Sequence, residues 1–338
     1  MLAIVSVLVI AVLALLPGLS SLRDAFAGAE PGWLVLGVVL ELLSCASYVL
    51  VFRGVFCQRL SWRTSVEIGL SEQAANSLLS VGGAGGLVLG AWILRRGGVP
   101  AGHIARRTVA FFLVTSLANV GFLALGGLAL ATGLLGGTSH RVLLGLVPGL
   151  IGIGAILLAI QAGRIARGLG ERVERRRLRA TLAALGDGVG EALSLLDSPA
   201  VLIGSAGYLL FDLAVLGVCF PAFGNPLPPV DVLLLAYLIG QLGGLVPLPG
   251  GIGGLDLGLV GALLLYGVNG TDAVVAVLAY RGLLLTIPAL VGLPALASLR
   301  GRLRREAHDI RACVPGEEVE VIGRGPTVMP LPAGGGGG

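Results

Sequence analysis

The sequence contains no lysine, and charged residues of all kinds fill only 12% of its 338 positions. Soluble domains average about 25% charged residues, so a water-soluble globular fold is excluded. A phosphate-binding P-loop is excluded too, because its lysine must follow the glycines. The three histidines, His103, His140 and His308, are far apart and show no metal-ligand spacing. The four cysteines, Cys45, Cys57, Cys219 and Cys313, form no CxxC pair. Cys45 and Cys219 fall in apolar runs, where a thiol behaves as a small hydrophobe. No His/Ser or HExxH constellation for hydrolysis is present. No metal and no cofactor are expected.

What is present is apolar: 55% of residues are hydrophobic and the mean hydropathy is +0.95. Runs of about 20 apolar residues, the length that crosses hydrocarbon, recur from end to end. The fold class read from this is all-α: a polytopic membrane protein with about six spanning helices and two re-entrant hairpins. Met1–Leu19 is long enough to span, and no basic segment precedes it, so a retained helix is expected rather than a cleaved signal peptide, although Ala25-Phe26-Ala27 resembles a cleavage site.

The basic residues, all arginine, set the topology. Trp33–Phe52 is followed by Arg53, Arg59 and Arg63, which assigns that end to the cytoplasm. Ser65–Leu94 comes next and ends at Arg95, Arg96, Arg106 and Arg107, so both of its ends are cytoplasmic. Its length of about 30 residues is short of the roughly 40 that two crossings need. Glycines at 82, 83, 85 and 86 interrupt it, which points to a re-entrant hairpin from the cytoplasm. Thr108–Leu130 and Val142–Ala162 span. Arg164–Arg179, with seven arginines and two glutamates, continues through Thr181–Asp197 as a cytoplasmic linker, either a topology-setting charge run or a basic helix on anionic lipid.

Val201–Phe220 spans outward, and Phe223–Asp231 and Gly267–Asp272 carry no basic residue. Between them, Gly240–Gly258 holds two prolines and eight glycines, which no continuous helix passes. This second hairpin therefore comes in from outside. Ala273–Leu299 spans inward to Arg300, Arg302, Arg304 and Arg305, placing both termini in the cytoplasm of a plasma-membrane protein. The polar, Gly-rich tail after Arg311 is expected to be disordered.

A shift of 168 residues lays Gly82–Gly90 on Gly250–Gly258 with seven of nine positions identical, and lays Gln73 on Gln241. The units are an N-terminal helix and loop (1–31), a first repeat (32–133), a span and basic linker (134–199), an inverted second repeat (200–299) and a tail (300–338). Interrupted segments at matching places in two halves point to a transporter site. Each returning half-helix, beginning near Gly86 and Gly254, is expected to offer free N–H groups to an anion such as phosphate.

Glu41, Glu72, Asp212, Asp256 and Arg281 fall in the apolar zone, where ionisable residues mark function or pairing. Arg281 is read as pairing with Asp256 or holding an anionic headgroup. Glu72, Asn76 and Ser80 form one helical stripe, expected to line a cavity or pack on the other hairpin.

Pro249-Gly250-Gly251-Ile252-Gly253-Gly254-Leu255-Asp256 followed by Tyr280-Arg281 resembles the flippase-like transmembrane domain of the lysylphosphatidylglycerol synthase family. Asn76, Gly82–Gly86 and Leu94-Arg95-Arg96 resemble its earlier motif. The likeness covers roughly residues 1–310. Two positions depart from the family pattern: Asp256 stands where glutamate is usual, and Ser80-Val81 where proline is common. The resemblance implies movement of an anionic phospholipid or lipid-linked substrate between leaflets. The soluble aminoacyl-transferring domain of some members is not in this sequence, so lipid aminoacylation by these residues alone is not expected. The substrate-binding set is then Arg281, Tyr280, Asp256, Gly250, Gly251, Gly253, Gly254, Glu72, Gln73, Asn76, Gly82, Gly83, Gly85, Gly86 and Gln241, with no catalytic residue.

Alternatives stay open. A non-catalytic scaffold for a lipid- or glycan-modifying enzyme is one, and a lipid-linked glycosyltransferase-like enzyme is another. Phe211-Asp212, Gly254-Leu255-Asp256 and Pro288-Ala289-Leu290 echo intramembrane aspartyl proteases only loosely, since no glycine directly precedes Asp256. A homo-oligomer is left open, and nucleic acid is not an expected partner.

Overall fold

The structure is a computed structural model that describes residues 28–56, 58, 60–79, 84–134, 141–172, 176–245 and 254–311. The expected first span, both glycine-rich breaks (80–83 and 246–253) and the tail lie outside the described residues. Within them the chain is helical and forms no strand. The helices are α1 (Pro31–Phe56), α2 (Trp62–Leu79), α3 (Ala84–Arg96), α4 (Ala101–Thr132), α5 (Arg141–Arg172), α6 (Arg176–Leu195), α7 (Pro199–Val218), α8 (Val230–Gly240), α9 (Gly254–Leu265) and α10 (Gly270–Arg311). A 3-10 turn, Gln241–Leu245, extends α8. Among the described residues five helices are long and apolar enough to cross a membrane, in α1, α4, α5, α7 and α10. The chain is an all-α, multi-pass membrane protein.

Local sequence sets the ends of these helices. Pro100 precedes α4, where its missing N–H matters least. Gly133 closes α4 in the left-handed conformation (φ 78°), returning its N–H to the carbonyls of Ala129 and Leu130. Arg95 and Arg96 occupy the last turn of α3, where cations favour the helix C-terminus.

α1 packs along α7, α4 along α5, and α10 along α2. Apolar side chains collect in two clusters at opposite ends of the long helices. One holds Leu130, Leu216, Leu235, Leu259 and Val277, and the other Phe52, Ile68, Ile93, Val114 and Val201. Because lipid is as apolar as a leucine core, close backbone approach and hydrogen bonds carry much of the helix association. A methyl group built at Gly127 of α4 would lie 2.6 Å from the Gly145 carbonyl oxygen of α5 and 2.6 Å from the Gly149 nitrogen. The short pairs use glycine in the same register. Gly86 and Gly90 of α3 lie against Glu72 and Asn76 of α2, and Gly254 and Gly258 of α9 lie against Gly240 and Gly243.

The central basic stretch is not a bare connector. α6 packs on α4 and α5, and Glu191 meets Arg107 at 3.0 Å. Arg107 also donates to the Val55 carbonyl at the end of α1 (2.7 Å). Arg53 donates to Gln58 and Leu60 carbonyls and stacks on Trp62 at 4.1 Å.

Two prolines inside helices are accommodated by neighbours. Pro148 lacks the N–H that would reach the carbonyl of Leu144, and the Tyr266 hydroxyl donates to that oxygen instead (2.8 Å). Pro288 likewise releases the Leu284 carbonyl, which accepts from the Ser77 hydroxyl of α2 (3.3 Å). Tyr266→Phe is expected to lower stability in detergent by about 1–2 kcal/mol, since it orphans a carbonyl. In a Pro148→Ala background, where the helix recovers its own bond, the same change should cost little; a double-mutant cycle on thermal unfolding measures the difference.

Candidate functional site

The site lies where α9 begins and α10 is about three turns old. Asp256 is in the first turn of α9, where a carboxylate meets the positive end of the helix. Its Oδ1 lies 2.7 Å from the Arg281 Nε of α10. The two side chains are 21% and 16% exposed, so this pair is within reach of a ligand. Of the expected outcomes for Arg281, the structure shows pairing.

Tyr280, the residue before Arg281, is turned into the protein. It is fully buried and donates to Asp212 Oδ2 of α7 at 2.9 Å. Tyr237 of α8 donates to the same oxygen, and the two rings meet edge to face at 6.5 Å. Asp212 also feels the positive charge of Arg281. Tyr280 thus holds a carboxylate of the interior rather than facing outward beside Arg281.

A second set of polar contacts surrounds α2. Tyr48 of α1 donates to Glu72 Oε2 at 2.8 Å, and its ring lies edge-on to Tyr208 of α7, 5.6 Å away. Gln73 and Tyr208 are hydrogen-bonded through their side chains. Glu72 lies over Gly90, so its carboxylate occupies the space a larger residue at 90 would need. The Gly86 N–H donates to Asn76 Oδ1 at 2.6 Å. That bond corrects the sequence-based expectation for α3: the donor read as free for an anion is capped by α2. Glu72 and Asn76, read as a cavity stripe or a contact with the other hairpin, instead pack on the returning arm of their own pair. Gly85 is buried at the start of α3, Gln241 is half-buried where α8 tightens to 3-10, and Gly254 starts α9 beside the Arg281–Asp256 pair. Gly82, Gly83, Gly250, Gly251, Gly253 and Ser80 lie outside the described residues.

Glu41 is buried on α1, its Oε1 3.9 Å from Cys45 Sγ, and it feels the charge of Asp212. Among the described residues no group of three or more His, Cys, Asp or Glu is placed to hold a metal ion. Tyr48, Tyr208, Tyr237 and Cys45 belong to this network and were not read as site residues from the sequence. Spacing marks three of them. Glu41, Cys45 and Tyr48 (i, i+4, i+7) share one face of α1, and Ser205, Tyr208 and Asp212 share one face of α7.

The arrangement offers one guanidinium, reachable and held by a carboxylate that an anion can replace, backed by a buried hydroxyl–carboxylate network. Removing one of Asp212's donors should be felt. Tyr280→Phe is expected to lower stability in detergent by about 1–3 kcal/mol, and by less when Asp212 is already asparagine, as read by thermal unfolding of the four variants.

No curated protein matches the chain. Residues 3–292 match the family described as Lysylphosphatidylglycerol synthase TM region, and since that match spans most of the sequence, the chain belongs to this family.

Proposed function

We propose that this protein is a flippase-like carrier that moves an anionic lipid or lipid-linked headgroup between leaflets of the plasma membrane. The observation that carries this reading is the partly exposed Arg281–Asp256 pair at the start of α9. A phosphate-bearing headgroup has the charge to replace Asp256 on Arg281, and the N-terminus of α9 favours an anion at the same place.

In this reading α2–α3 and α8–α9 are re-entrant pairs that meet near the midplane from opposite sides. Their lengths support it. α3 has 13 residues and α9 has 12, about 20 Å and 18 Å at 1.5 Å per residue, against hydrocarbon about 30 Å thick. The glycines at 82, 83, 250, 251 and 253 then form the two tips around the headgroup, with Gly85, Gly86, Gly254, Gln73 and Gln241 behind them. The two repeats, 32–133 and 200–299, are related by inversion, and both termini are cytoplasmic. Cysteines placed singly at Ser80 and Leu248, in a variant without the natural thiols, should react with membrane-impermeant maleimide from opposite faces of sealed vesicles. Labelling of both from one face would remove the inverted arrangement.

Transport is read directly in vesicles reconstituted with fluorescent phosphatidylglycerol, by the fraction that dithionite quenches over time. Arg281→Ala should slow lipid movement by roughly 10- to 100-fold, the loss of one charge-assisted contact. Unchanged movement in Arg281→Ala, or none in the unmodified protein, would end the carrier reading in favour of a scaffold.

A further inference from the structure

The carboxyls of Glu41 and Asp212 sit on α1 and α7, which pack side by side, and Asp212 feels the charge of Arg281. Each keeps one buried oxygen without a hydrogen-bond partner, Glu41 Oε2 and Asp212 Oδ1. Glu41 is 1% exposed and Asp212 7%. A buried carboxylate left uncompensated costs several kcal/mol, and a second one close by adds repulsion.

The neighbours do not supply the missing compensation. On α1 the nearest group is the Cys45 thiol. α7 adds the Tyr208 phenol, and α8 and α10 add Tyr237 and Tyr280, both spent on the other oxygen of Asp212. α10 also brings Arg281, which acts on Asp212 but is already bound to Asp256 of α9. α2 contributes neutral Gln73, through Tyr208, and Glu72, which is bonded to Tyr48. α4 packs on both α1 and α7 yet has no ionisable residue between Thr108 and Thr132. One guanidinium therefore answers the carboxyls of Asp256 and Asp212, while Glu41 adds a third carboxyl beside Asp212. A single proton on Glu41 or Asp212 turns one orphan oxygen into a hydroxyl and removes the repulsion between the two.

We propose that Glu41 and Asp212 form a proton-binding site whose occupancy rises when an anionic headgroup takes Arg281 from Asp256. This rests on the carrier reading above. The link is electrostatic. An arriving anion leaves two negative groups sharing one guanidinium, so the field at Asp212 becomes more negative and the pair holds its proton more firmly. By reciprocity, the proton strengthens capture of the anion. The headgroup and the proton then cross together, and the charge moved through hydrocarbon is smaller by one. The only bond made or broken is the carboxylic O–H, with water on either side as donor and acceptor.

The test uses the purified full chain in nanodiscs of ether-linked phosphatidylcholine, whose lipids lack carbonyls. Infrared spectra read the carbonyl stretch of neutral carboxylic acids at neutral pH. Adding ether-linked phosphatidylglycerol should raise the protonated-to-ionised ratio about tenfold. Glu41→Gln should remove that rise, while Glu191→Gln on α6 should keep it. A wild-type band indifferent to phosphatidylglycerol, a rise that survives in Glu41→Gln, or a band that appears only when sodium is withdrawn would overturn the proton site. The wild-type response decides the matter even if the glutamine variant does not fold. A band that rises in a protein that moves no lipid in vesicles ends the carrier reading and leaves the proton site standing. Lipid movement without that band does the reverse.

Discussion

Hydrocarbon offers no partner to a charge or a backbone polar group, so each one inside it must be answered by the protein itself. That constraint organises this molecule. Arg281 is answered by Asp256, Asp212 by two tyrosine hydroxyls, and Glu72 by Tyr48. The carbonyls freed by Pro148 and Pro288 are answered by hydroxyls from neighbouring helices. Where an answer is partial, as at Glu41, or exchangeable, as at Arg281, chemistry has room to act.

The apolar clusters leave this polar layer between them. Tyr237 and Tyr280 belong to one cluster and Tyr48 to the other, and each extends its hydroxyl to a carboxylate. A tyrosine suits this duty because its ring buries well while its oxygen needs a partner. The acids are thereby fixed by residues that are themselves locked in the core, so their positions depend on the packing of α1, α2, α7, α8 and α10 together.

Much of this is legible in the sequence, for physical reasons. Composition and run length gave the membrane class and the helical spans, since spanning segments must be long, apolar and internally bonded. The rarity of intramembrane charge picked out Asp256 and Arg281, and the structure pairs them. What escaped was long-range. That Asn76 caps the helix beginning ten residues later depends on how α2 and α3 fold together, not on either helix alone. That Tyr280 and Arg281 serve different sides of α10 follows from their adjacency, about 100° apart on a helix of 3.6 residues per turn, yet which side meets α7 is decided only by packing. Tyr48, Tyr208 and Tyr237 were passed over because an aromatic in an apolar run looks like core, and these are core at one end.

The Ser77 bond to the Leu284 carbonyl has a mechanical consequence. Along an intact helix, stiffness comes from successive bonds between its own turns; at Pro288 that succession is broken and one link runs sideways to α2. α10 runs as one helix from Gly270 to Arg311, and the Pro288 gap lies between Arg281 and the arginines after residue 299. The tie across that gap comes from a different helix, so the stiffness of α10 just past Arg281 depends on where α2 sits.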